Sequence, residues 1–126
     1  MSMTGAELAD IAVERRRAAM QAWSDLLAGG ASCRLDGSLP VHEGAKLREG
    51  ESVALGLVAR QARQQRTDDA LTSLEAAAAS WAAMPVPGHG RDWDAYRRGG
   101  DQALAELRAL VALDASVASD GEVGAP

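Results

Sequence analysis

"SVALGLVARQARQQRTDDALTSLEAAAASWAAM", residues 52–84, decides how many helices this chain forms. Its first half is apolar around most of a helical circumference, through Val53, Leu55, Leu57 and Val58. A helix of that kind belongs at the centre of a bundle. Its polar continuation carries Arg60 and Arg63 on one side. From residue 67 onward, Leu71, Leu74, Ala78 and Trp81 recur at spacings of three and four. Projected onto one uninterrupted helix, the Leu71–Leu74–Trp81 face falls on the Arg60–Arg63 side, so the apolar phase jumps. Thr67 is a candidate cap for a new helix, and Asp68 and Asp69 suit its positive N-terminal end. The phase jump predicts two helices, 50–66 and 67–84, with a break near Arg66–Thr67. One long helix that changes partners along its length is the alternative.

Two more helices flank this pair. Residues 4–28 form the first, with Thr4 and Glu7 in the spacing of a capping box and Gly29-Gly30 as its stop. Leu8, Ile11, Ala12, Ala19, Ala22, Trp23 and Leu26 share its apolar face, and Arg15 lies in the middle of that stripe. The last helix covers 92–113, on a stripe of Trp93, Tyr96, Gly100, Ala103, Leu104, Leu107, Leu110 and Val111. The phase holds through Gly99-Gly100, which places both glycines inside the helix and allows another backbone to approach. Between the first two helices, residues 31–49 read as a loop or a short β-hairpin, with Asp36-Gly37 as the turn and Pro40 confining the second arm to an edge. Residues 116–126 are small, polar and acidic and read as a disordered tail. The expected fold is all-α: a three- to four-helix bundle in one domain, residues 1–115, with or without that hairpin.

The bulk composition narrows the function classes. Of 126 residues, 47% are hydrophobic, but much of that is alanine, and Phe is absent. The core is therefore thin, and a partner or a second copy is expected to supply part of the buried surface. A net charge of −5 argues against general nucleic-acid binding. The single cysteine, Cys33, permits no intramolecular disulfide. No apolar run is long enough to span a bilayer, and the N-terminus lacks the basic-then-apolar order of a secretory signal. A cytoplasmic protein is the expectation. Arginine outnumbers lysine twelve to one and Asn is absent. That usage points to a GC-rich coding sequence, and so to a bacterium or its phage.

The densest patch of chemistry is "PVPGHGRDWDAYRRGG", residues 85–100. Most of it has a structural reading. Asp92 caps the last helix, Asp94 pairs with Arg98 and Arg97 with Asp101, while Trp93 and Tyr96 belong to the apolar stripe. His89 and Arg91 are left over, and with Trp93 they make a candidate ligand site. Arg15 is a second candidate, either extending to solvent along its stem or reaching an acidic residue of a second chain. The third is the pair of basic clusters, "ERRR" at 14–17 and "RQARQQR" at 60–66, in which Arg60 and Arg63 share a face. A phosphate backbone could use them, but no aromatic interleaves with the second cluster. His42, His89 and Cys33 have no metal-ligand spacing, and no catalytic group, cofactor or metal is expected.

"GESVALGLVARQAR", residues 50–63, resembles a short helical piece of 3-dehydroquinate synthases. Glu49 stands where that family has a metal-binding histidine, and no nucleotide domain is present, so the activity does not carry over. The order helix, Asp-Gly hairpin, helix over residues 4–60 resembles the small head-to-tail joining proteins of tailed phages, which implies a structural role. The leading expectation is a non-enzymatic helical interaction protein: an adaptor, assembly subunit or accessory subunit, with another protein or itself as partner, in the latter case as a homodimer. A small enzyme or ligand-binding domain using His89, Arg91 and Trp93 is the alternative.

Overall fold

The second helix is central because it has apolar residues on nearly every side. In the computed structural model, which describes residues 2–33 and 40–123, four helices follow one another: α1 (Gly5–Cys33), α2 (Pro40–Gln64), α3 (Ala70–Ala83) and α4 (Arg91–Val123). Among the described residues there is no strand. Along α2, Ala54, Leu55, Val58, Ala59 and Ala62 are buried, with Val53 and Leu57 half-buried beside them. The helix packs against α1 on one side and α4 on another, while the backbones of α1 and α4 do not approach each other.

The chain breaks where the apolar phase jumps. Turn residues 65–69 separate α2 from α3. Asp69, in extended conformation, occupies the cap position and makes no side-chain cap hydrogen bond, so Thr67 is not the cap. The N-terminal segment takes over that task. Ala70 donates its backbone N–H to Met3 O at 2.9 Å, Gly5 donates to Asp68 O at 2.9 Å and Ala6 to Arg66 O at 3.0 Å. A main-chain partner from elsewhere in the chain satisfies a helix-end donor as well as a side chain would. Half of the expected Thr4–Glu7 box forms: Glu7 N–H donates to Thr4 Oγ1 at 3.3 Å, while the Glu7 carboxylate accepts from the Thr4 hydroxyl at 3.2 Å rather than from the Thr4 backbone N–H.

The helix boundaries differ from the sequence expectation in three places. First, α1 continues through Gly29-Gly30 to Cys33, and α2 begins at Pro40 rather than at about residue 50. Two glycines cost a helix only about 1 kcal/mol each relative to alanine, which a packed helix can absorb. Proline at a first helical position loses no hydrogen bond, because that N–H has no partner within the helix. The loop or hairpin read over 31–49 is therefore helical at both flanks, and its Asp36-Gly37 turn lies outside the described residues. Second, α4 starts at Arg91. Gly90 has φ 101°, the left-handed region open to glycine, and its carbonyl accepts from Asp94 N–H at 2.9 Å. Asp92 thus sits inside the first turn, where its charge still suits the helix dipole. Third, α4 runs to Val123, so residues 116–123 of the expected tail are helical.

The core is built from few large side chains and many alanines. Trp81, Leu8, Leu55, Leu74, Leu107 and Val58 are its largest fully buried residues. Trp81 lies 1% exposed at the α3–α4 contact, with its ring centroid 5.4 Å from that of Tyr96. Its indole N–H donates to Asp101 Oδ1 at 2.9 Å. The Arg97 guanidinium sits 4.9 Å over the Trp81 ring and donates to the Trp81 and Met84 carbonyls, closing the C-terminus of α3. Asp101 and Arg97 therefore do not pair with each other; Trp81 donates to Asp101 through its indole and accepts from Arg97 at its carbonyl. No ion pair forms between Asp94 and Arg98 either. Burial, and then the nearby Glu49 carboxylate, push the Tyr96 hydroxyl above its ordinary pKa. On the surface, Arg108 donates to Glu75 Oε1 at 2.7 Å, tying α4 to α3 and holding the Glu75 carboxyl below its usual range. No helix among the described residues is long and apolar enough to cross a membrane.

Candidate functional site

Parts of the two basic clusters of the sequence share one groove: Arg16 and Arg17 of the first, Arg60 and Arg63 of the second. On α1, Val13, Arg16, Arg17, Met20 and Gln21 recur at helical spacing and share one face. On α2, Val53, Gly56, Leu57, Arg60, Arg63 and Gln64 do the same. The two faces border a groove of about 980 Å³, to which Met84 contributes from the end of α3. Its floor is apolar, through half-buried Val13, Val53 and Leu57. Its rim is cationic, with Arg16, Arg17, Arg60 and Arg63 all exposed.

The electrostatics of this groove are one-sided. Among the described residues, no aspartate or glutamate lines it. Arg17 pairs with Glu14 at 3.1 Å along α1. Among the described residues, Arg16, Arg60 and Arg63 have no carboxylate within 4.0 Å. Three guanidinium groups without a carboxylate partner among the described residues thus border one groove in a chain of net charge −5. Gly56 makes room for one of them: a Cβ at that position would lie 3.3 Å from Arg16 Nε. An alanine at 56 would require the flexible Arg16 side chain to give by a few tenths of an ångström.

The other sequence candidates go elsewhere. Arg15 faces a smaller groove, of about 230 Å³, shared with Ala103 and Glu106 of α4 and floored by Leu55. Its guanidinium meets Glu106 at 3.2 Å with both side chains substantially exposed. An acidic residue of its own chain therefore supplies the partner for which a second chain was expected. His89 and Arg91 are exposed, and neither lines either groove. Trp93 is half-buried and structurally occupied. Lys46 Nζ lies 4.1 Å over its ring, and Tyr96 meets it edge-on at a centroid distance of 5.4 Å. Among the described residues, no group of three His, Cys, Asp or Glu side chains could hold a metal ion.

Sequence reading named Arg60 and Arg63 but missed Arg16, Met20 and Met84 as their neighbours. A signal was present on both helices. Each carries a second helical stripe of mixed apolar and arginine character, at 13–16–17–20 and 53–56–57–60, beside the stripe that forms the core. What fold and site define is an all-helical chain with an arginine-rimmed groove between its first two helices. No family model, curated protein or solved structure matches it. The functional reading therefore rests on the groove.

Proposed function

We propose that this chain is a non-enzymatic helical interaction protein, an adaptor, assembly or accessory subunit, that takes a protein partner in the α1–α2 groove. One observation carries this reading: Arg16 and Arg17 of cluster 14–17 and Arg60 and Arg63 of cluster 60–66 line a single groove in an acidic chain, and no acidic residue among the described ones lines it. Unpaired arginines around an apolar floor are the usual composition of a recognition surface, since Arg is enriched at interfaces and Met adapts its shape to what it meets. A protein partner fits better than nucleic acid. The net charge repels a polyanion at long range, and no aromatic lines the groove on which a base could stack. The setting that goes with this reading is cytoplasmic, in a bacterium or its phage.

The test is a pull-down from the native cell with the full chain and with an Arg60→Glu/Arg63→Glu variant. Both arginines are exposed, so the variant should keep the wild-type circular dichroism and melting temperature. We expect at least one protein to co-purify with the wild type and be lost from the variant. Equal recovery by the two would contradict a role for the groove. Recovery of a differently tagged copy of the chain, again lost from the variant, would assign the groove to self-association.

A further inference from the structure

We infer that the occupant of the α1–α2 groove is an acidic amphipathic helix of another protein. This rests on the interaction reading above and adds the chemistry of the partner. Three features of the groove carry it. The first is its length. Its α2 side runs from Ser52 to Gln64, which at 1.5 Å per residue is about 18 Å, or about three turns of a helix. The second is its shape. Two adjacent helices leave a furrow between them, and a third helix seated there packs by the same ridge-and-groove geometry as the other helix pairs of this fold. No strand among the described residues offers an edge to an extended peptide, so strand addition has no template here. The third is its division into an apolar floor and a cationic rim. Val13, Val53 and Leu57 would receive apolar residues spaced at i, i+3, i+4 and i+7. Met20 and Met84 at its borders have flexible thioether chains that can repack around them. Arg16, Arg60 and Arg63 would then meet Asp or Glu on the flanks of that helix, relieving three positive charges that lack carboxylate partners among the described residues.

A display library of random 16-residue peptides, selected on the immobilised full chain, tests this. The selected peptides are then titrated against the wild type and against an Arg16→Glu/Arg60→Glu/Arg63→Glu variant that retains its helical content and melting temperature. We expect the enriched sequences to be acidic, with apolar residues at helical spacing. They should become helical on binding. Their affinity should fall about tenfold or more in the variant, since three ion pairs are replaced by three repulsions. It should also weaken as salt rises. Enrichment of neutral or basic peptides, affinity unchanged in the variant, or no enrichment at all would overturn the inference. So would tighter binding of a single-stranded oligothymidine than of any selected peptide. If the pull-down partner depends on Arg60 and Arg63 while the selected peptides are not acidic helices, the partner's chemistry is wrong and the interaction reading stands. If the pull-down is indifferent to both arginines, the interaction reading fails first.

Discussion

Replacing Trp81 by alanine should cost about 3–5 kcal/mol of folding stability, the range for truncating a buried aromatic. Three losses combine. The residue is 1% exposed, so its whole side chain leaves a cavity among alanine-rich helices that cannot collapse far without breaking other contacts. Its stacking on Tyr96 and beneath Arg97 disappears. Asp101 also loses the indole donor it accepts from at 2.9 Å. Natural domains of this size are stable by only about 5–15 kcal/mol, so the variant should unfold at much lower urea concentration. Trp93→Ala should cost clearly less, because Trp93 is only half-buried. Urea unfolding of both variants checks the order. A Trp81→Ala loss below about 1 kcal/mol, or a larger loss for Trp93→Ala, would contradict the packing described here.

Gly99→Ala should destabilise and Gly44→Ala should not, although the chemical change is identical. The helices α2 and α4 cross so closely that a Cβ on Gly99 would lie 2.0 Å from Leu47 O, and a Cβ on Gly50 would lie 1.9 Å from Tyr96 O. Both obstacles are backbone, which must move for the side chain to fit. Forcing extra volume into such a contact costs about 1–3 kcal/mol or more, which outweighs the gain of about 1 kcal/mol in helix propensity. Among the described residues, a Cβ at Gly44 would meet nothing nearer than Leu26 Cδ1 at 3.5 Å, an ordinary contact. There the propensity gain should stand alone, and the variant should be as stable as the wild type or up to about 1 kcal/mol more so. Thermal melts of the two variants give the sign directly. A stable Gly99→Ala would mean that α2 and α4 are further apart than the glycines indicate.

The helices and their break were legible because each depends on local pattern. The apolar phase on either side of Thr67 cannot be reconciled on one cylinder, and the chain turns at 65–69. The uninterrupted phase through Gly99-Gly100 likewise placed both glycines inside α4, at a close helix crossing. Boundaries set by tertiary partners were not legible. Nothing local to Thr67–Ala70 shows that Met3 will supply the acceptor for the first N–H of α3. The i,i+4 spacing of Arg97 and Asp101 suggested an ion pair, yet the indole of Trp81 and the carbonyls at the end of α3 compete for both groups and win. The groove was half legible. Arg60 and Arg63 stood out as a face, but Arg16 lies more than forty residues away and joins them only because α1 lies alongside α2. Arg15, next to it in the sequence, points to the other side of α1 and is taken by Glu106.

The central claim is that binding happens at the α1–α2 groove. It is tested most directly by titrating the isotope-labelled full chain with the protein captured in the pull-down and following its backbone amide resonances. The groove predicts that shifts concentrate on Val13–Gln21 and Ser52–Gln64, with His89, Arg91 and Trp93 unmoved. Shifts centred instead on residues 85–98, with Arg16, Arg60 and Arg63 silent, would contradict it and move the site to the start of α4.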